Sequence, residues 1–158
     1  MSQSLLQELH KHPFVAEFKP EHSELLASMA KEVTFAADQV IFKEGDDYSV
    51  FYLLSEGMVA LELESPGHVI RVQTLYRGDE LDWSALLPRA GKYFQARALT
   101  PVTALAFEAA DLLASFKREP EFGLAVMTRI LGVVAERLRA TRLQLADMYS
   151  PVARRAGT

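Results

Sequence analysis

The chain has 158 residues, 49% hydrophobic and 24% charged, a balance that fits one globular domain with a sizeable core. It contains no cysteine, which excludes disulfides, thiolate-bound iron–sulfur clusters and thiol nucleophiles. Its net charge of −4 argues against general nucleic-acid binding, because phosphate contacts need clustered Lys and Arg. No apolar run is long enough to cross a membrane, and the polar start M-S-Q-S-L-L-Q-E-L-H-K-H is unlike a secretory signal, so a cytoplasmic location is expected.

Leu5, Leu6 and Leu9 stand at helical spacing and predict a short helix from about Ser4 to His10. His12-Pro13 ends it, since a residue before proline avoids the helical region. Pro20 suits a first helical position, and Leu25, Leu26 and Met29 give one face of a second helix that ends near Ala30 or Lys31. His10 and His12 have no third ligand nearby, so they are expected to be solvated rather than metal-bound. From Glu32 the period becomes two. Val33 and Phe35 alternate with polar residues, Val40–Lys43 is a second strand, and E-G-D-D (44–47) is a turn. Val50–Leu54 is a continuous apolar run, as in a strand buried on both faces. Val59, Leu61 and Leu63 then alternate with Ala60, Glu62 and Glu64 as a half-buried strand, S-P-G (65–67) turns the chain, and Val69–Thr74 follows. Short strands at this spacing indicate a sandwich or small barrel.

The stretch Gly78–Ala98 organises the rest. It reads as a short helical turn, a break at Pro88 and Gly91, and a strand from Tyr93. A short helix opening under a tight turn presents free N–H groups to an anion, and Lys92 and Arg97 supply positive charge. The same stretch also reads as a loop covering the core with Trp83, Leu86 and Leu87. Asp79, Glu80 and Asp82 are expected to form a solvated edge or to cap the short helix.

Val102–Phe107 is the last predicted strand, and Ala109, Leu112, Leu113 and Phe116 mark a short helix. A long helix follows from about Pro120 to Tyr149. In its N-terminal half Leu124, Met127 and Ile130 are expected to pack on the sheet. Leu131, Val134, Leu138, Thr141, Leu145 and Met148 then recur at spacings of three and four, a seam of the coiled-coil kind that predicts a homodimer through this helix. Residues 151–158 are short and basic and are expected to be a flexible tail.

Two segments resemble the cyclic-nucleotide-binding domains of the catabolite-activator/Fnr type. Ile41–Gly57, I-F-K-E-G-D-D-Y-S-V-F-Y-L-L-S-E-G, is similar to their first signature, with Phe42 and Tyr48 as departures. Leu81–Ala98 keeps the spacing of the second signature, the phosphate-binding cassette, with Gly78, Ala85, Leu86, Arg97 and Ala98 as surviving framework positions. The resemblance implies an α+β, mainly β fold: an eight-stranded β jelly roll (32–108) with N-terminal helices (4–31) and C-terminal helices (109–149), all within one domain over 1–150. Family members read apolar-Gly-Glu where this chain has Leu81-Asp82-Trp83. The glutamate that accepts the ribose 2′-hydroxyl therefore falls on Trp83, which cannot accept a hydrogen bond. The arginine that grips the cyclic phosphate falls on Lys92, a point charge rather than a bidentate fork. Tyr93 and Phe94 stand where small residues are usual, and Thr141 falls at about the place where a long-helix residue caps the base.

Framework kept and contacts changed imply a pocket that has been remodelled, filled or retuned. The expected function is a non-catalytic regulatory or sensor module that does not bind cyclic AMP or cyclic GMP in the usual way. Any ligand, a cyclic nucleotide or another small anion, would sit over Asp82, Trp83, Ser84, Lys92, Tyr93, Arg97 and Thr141. A genuine cyclic-nucleotide binder using Lys92 for the phosphate is one alternative, and a dimeric interaction module with a filled pocket is another. A regulated partner protein is compatible with all three. A metal-dependent jelly-roll enzyme would need converging histidines, yet only His68 lies in the strand region, and Ser84 has no evident base; no metal or catalytic residue is expected. Only eight residues follow Ser150, too few for the two further helices of a helix-turn-helix, so a standalone sensor domain is expected.

Overall fold

Buried leucines fix the N-terminal helices to the sheet. In the computed structural model, which describes residues 2–47, 49–87 and 94–149, α1 (Ser2–His10) and α2 (Pro20–Ser28) place Leu9 and Leu26 in the core, both fully buried. The predicted break at Pro88 and Gly91 and the tail at 151–158 lie outside the described residues. Between α1 and α2 a 3₁₀ turn at Pro13–Val15 drives Phe14 inward against Phe51, with ring centroids 5.5 Å apart. His12 caps that turn. Its Nδ1 accepts from the Phe14 N–H at 3.1 Å, and its Nε2 lies 3.2 Å from the Asp79 carbonyl oxygen. Nδ1 is thereby the acceptor and Nε2–H the donor of one neutral tautomer. The solvated His12 expected from sequence is instead buried and ties the N-terminal helices to the sheet.

Two antiparallel four-stranded sheets face each other. One has the order β1 (Lys31–Phe35), β8 (Val102–Glu108), β3 (Val50–Glu56), β6 (Glu80–Leu81). The other has β2 (Val40–Phe42), β7 (Gln95–Ala98), β4 (Val59–Ser65), β5 (His68–Leu75). The period-two geometry of a strand explains the apolar run in β3. Phe51 and Leu53 point to the helices, where they meet Phe14, Leu26, Leu105, Phe107 and Phe122. Val50, Tyr52 and Leu54 point between the sheets, where they meet Val59, Leu61, Leu81, Ala96 and Ala104. A strand with a core on each side has no position left for a polar residue. The opposite holds for the start of β5, where Val69 and Ile70 are both exposed.

At the turn into β4, Gly57 has φ +90°, and a Cβ there would overlap the Pro101 carbonyl oxygen. Between the pairs Leu61–Gln73 and Glu62–Arg71, β5 carries the extra residue Val72, a bulge that bends β5 against β4. Glu62, read from sequence as the outward half of an alternation, is buried with an exposure of 7%. Its Oε1 accepts from Gln95 Nε2 at 2.9 Å and from Arg97 Nε at 3.2 Å.

The chain closes with α3 (Ala109–Arg118) and α4 (Pro120–Met148). They meet where Gly123 lies against Phe116; a Cβ at Gly123 would stand 2.9 Å from the Phe116 Cβ. Phe122, Val126, Ile130 and Val133 form the buried face of α4. Leu124, expected on that face, is exposed, because it falls two residues from Phe122 and Val126 and so lies on the far side of the helix. Beyond Arg137 every described residue of α4 is exposed.

Candidate functional site

The site starts at a turn. Tyr76–Asp79 closes on itself through Asp79 N–H to the Tyr76 carbonyl oxygen (3.0 Å) and Tyr76 N–H to Asp79 Oδ2 (2.8 Å). Gly78 N–H donates to the Leu54 carbonyl oxygen and Leu54 N–H to the Asp79 carbonyl oxygen, each at 2.9 Å, so the turn is stapled to β3. β6 leaves the turn and ends at Asp82, which adopts a left-handed backbone with φ 63° and ψ 46°. Few residues other than glycine visit this region, and aspartate is among the more tolerant. The kink sends the chain into a 3₁₀ turn, Trp83–Leu86. Asp82 does not cap this turn through its side chain; the Ser84 hydroxyl donates to Asp82 Oδ1 at 2.8 Å. The solvated acidic edge expected here does not form, since Glu80 and Asp82 are both buried. Leu86 is buried as a core cover, while Leu87 is exposed.

Over this segment lies a cavity of about 420 Å³, within the range usual for small-molecule sites. Leu81, Asp82, Trp83, Ser84 and Leu87 form one wall, Phe42, Leu61, Gln73 and Phe94 the sheet side, and Val134, Arg137, Leu138 and Thr141 of α4 the other wall. Most of the lining is apolar or aromatic, with a carboxylate, a guanidinium and two hydroxyls placed within it.

Four of the expected ligand residues, Asp82, Trp83, Ser84 and Thr141, are therefore gathered around one cavity. Lys92 and Tyr93 lie outside the described residues. Arg97 is elsewhere: its Nε donates to Glu62 and its Nη1 to the Asp38 carbonyl oxygen at 2.9 Å, so it braces β7 against β4 and the β1–β2 loop rather than lining the cavity. The expected dimer seam is divided. Val134 packs against the chain's own core and, with Leu138 and Thr141, lines the cavity. Leu131, Leu138, Leu145 and Met148 present exposed apolar surface, at 68%, 50%, 47% and 80% exposure.

Arg137 was not singled out by sequence. Its Nη2–H donates to the Glu80 carbonyl oxygen, which binds α4 to β6, and its own carbonyl accepts from the Thr141 hydroxyl at 2.9 Å. Burial lowers the Arg137 pKa, while the nearby Glu80 and Asp79 act the other way; the guanidinium stays charged. Burial likewise raises the Glu80 carboxyl above its ordinary range, against the pull of Arg137 and Arg129. The available signal was helical spacing: Arg137 stands four residues before Thr141, hence on the same face. Phe42, Leu61 and Gln73 offered none, because they come to the cavity only through sheet register. A second hollow of about 370 Å³ lies where α1 and the 3₁₀ turn at Pro13 meet the end of β3, with Lys11, Arg77, Glu8 and Glu56 on its walls.

The family profile described as "Cyclic nucleotide-binding domain" matches residues 32–119. The N-terminal domain of a transcriptional regulator from Streptomyces coelicolor A3(2) is 30% identical, with 85% of this chain and 94% of that one covered at a TM-score of 0.68. The catabolite activator protein of Thermus thermophilus is 25% identical, with 87% of this chain and 63% of that one covered at a TM-score of 0.71. The cAMP/cGMP-dependent 3′,5′-cAMP/cGMP phosphodiesterase B of Dictyostelium discoideum is 29% identical over 103 residues, or 60% of this chain. The chain spans 9% of that protein's length and 26% of a second curated relative's, so it corresponds to a small part of each. Profile, identity and two-sheet architecture agree: the chain belongs to the cyclic nucleotide-binding domain family.

Proposed function

We propose that the chain is a non-catalytic sensor module whose cavity no longer recognises cyclic AMP or cyclic GMP in the usual way. The observation that carries this reading is Trp83. The resemblance puts the family's ribose-binding glutamate at this position, and here an indole, which has a donor but no acceptor, lines the cavity. Asp82 supports the alignment, because its left-handed backbone is the conformation that the family's glycine at this place would adopt readily. Lys92 in place of the phosphate-gripping arginine points the same way. The family fold itself supports a regulatory or sensor role, and α4, which forms one wall of the cavity, is the element through which occupancy would be relayed.

The test uses the chain's single tryptophan, whose emission reports on the cavity directly. Titration with cyclic AMP and cyclic GMP, followed by fluorescence and calorimetry, should give no sub-micromolar binding. Such binding by either nucleotide would overturn the reading and favour the alternative in which Lys92 takes the phosphate.

A homodimer through α4 is proposed alongside, on the exposed Leu131, Leu145 and Met148. Leu131→Glu with Leu145→Glu should convert dimer to monomer in sedimentation without disturbing the cavity. A double variant that still sediments as a dimer removes the helix from the interface.

A further inference from the structure

We propose that the cavity takes a planar organic anion that needs no sugar, held by its charge on Arg137 of α4 and by its face on Trp83. The proposal rests on the reading above, in that it supplies a ligand class for the same cavity.

Three observations lead to it. The first is the spare hydrogen-bonding capacity of Arg137, whose charge the nearby Glu80 and Asp79 favour without pairing with it directly. Among the described residues no carboxylate makes an ion-pair contact with it, and the group it binds is a backbone carbonyl, that of Glu80. A guanidinium carries five N–H donors, and this contact uses one of them. A partly buried guanidinium with donors left over can take a carboxylate through charge-assisted hydrogen bonds, and a ligand carboxylate would supply that acceptor.

The second is the shape of the lining. Trp83, Phe42 and Phe94 offer three aromatic side chains, and Leu61, Leu81 and Leu87 fill much of the remaining wall. Such a surface favours a flat ring system over a hydroxylated sugar.

The third is the separation of polar groups along the chain. Asp82 lines the cavity and is a hydrogen-bond acceptor for Ser84, so an anionic group beside it would be repelled. Among the described lining residues Arg137 is the one cation, so the charge of the ligand is directed to it, and Arg137 also holds β6. An anion sharing that guanidinium would link occupancy of the cavity to the grip of α4 on the sheet.

The experiment is calorimetry on the full chain with three probes: 2-naphthoate, its neutral counterpart 2-naphthamide, and cyclohexanecarboxylate, which has the charge without the flat ring. Naphthoate should bind at least about tenfold more tightly than either of the others, the least expected of a charge-assisted hydrogen bond. Arg137→Gln should erase the preference for naphthoate over naphthamide, whereas Arg137→Lys, which keeps the charge, should retain part of it. Trp83→Leu should weaken naphthoate and naphthamide alike. Equal affinity for the three probes, no binding of naphthoate, or a preference that survives Arg137→Gln would each overturn the proposal. The nucleotide titration is separate: tight cyclic AMP binding with no naphthoate binding defeats both readings, and no binding of either defeats only the ligand class.

Discussion

Replacing Glu62 by alanine tests whether a buried polar cluster, rather than a ligand, accounts for Arg97. Glu62 Oε1 is the acceptor for Gln95 Nε2 at 2.9 Å and for Arg97 Nε at 3.2 Å. Gln95 is 3% exposed, so its amide would lose its partner where water has little access; a buried donor stranded in this way costs about 1–3 kcal/mol. The Arg97 side chain is 32% exposed, so water can replace part of what it loses, and its share is roughly 1 kcal/mol or less. The lost methylene packing adds about 1 kcal/mol. Together these predict a destabilisation of about 2–5 kcal/mol. With a urea m-value of roughly 2 kcal/mol per molar, the midpoint should fall by about 1–2.5 M. Glu62→Gln, which keeps an acceptor for Gln95, should lose less than half as much. Arg97→Met should lower stability while leaving affinity for any cavity ligand unchanged. A Glu62→Ala midpoint within about 0.3 M of wild type at an unchanged m-value would refute the reasoning, as would a ligand whose affinity collapses in Arg97→Met.

Other expectations follow from single contacts. Gly57→Ala should cost more than about 3 kcal/mol, because it combines a left-handed backbone with overlap on the Pro101 carbonyl. Gly67→Ala, at φ +82° with open space around it, should cost only about 1–2 kcal/mol; equal losses for the two in thermal melts would contradict the crowding at Gly57. Burial holds the His12 pKa below its ordinary value of 6.5, against the opposing pull of Asp79. The unfolded chain therefore binds more protons in this range, and the stability His12 contributes is full above about pH 6.5 and lost as pH falls through that value toward its folded pKa. The stability difference between wild type and His12→Gln should accordingly shrink on going from pH 8 to pH 5.5. A difference that is flat or grows over that range would show that His12 is not held neutral.

Much of the fold was legible because it rests on periodicity. The five-residue apolar run in β3 could be read as doubly buried, and it is flanked by a core on each side. The seam spacing of α4 was equally visible, but spacing does not say which turns touch the chain's own domain; Val134 does, and Leu131 does not. Alternation placed Glu62 correctly on the face opposite Leu61, but not its burial, because that face is covered there by Gln95 and Arg97 of β7, more than thirty positions away. His12 was misread for a related reason: its acceptor, the Asp79 carbonyl, is 67 residues away and belongs to the backbone, which carries no residue signature. Of the site, the wall built from consecutive residues was readable, namely Asp82, Trp83 and Ser84. On the helix wall Thr141 was anticipated from the resemblance, whereas Phe42, Gln73 and Arg137, which reach the cavity through sheet register and helix docking, were not.

The most direct test of the central claim is the emission of Trp83 during titration with cyclic AMP. The account predicts no saturable change at micromolar nucleotide, since on the proposed reading an indole stands where the family's ribose-binding carboxylate would. A saturable change at sub-micromolar nucleotide, lost in a Lys92→Ala variant, would contradict it.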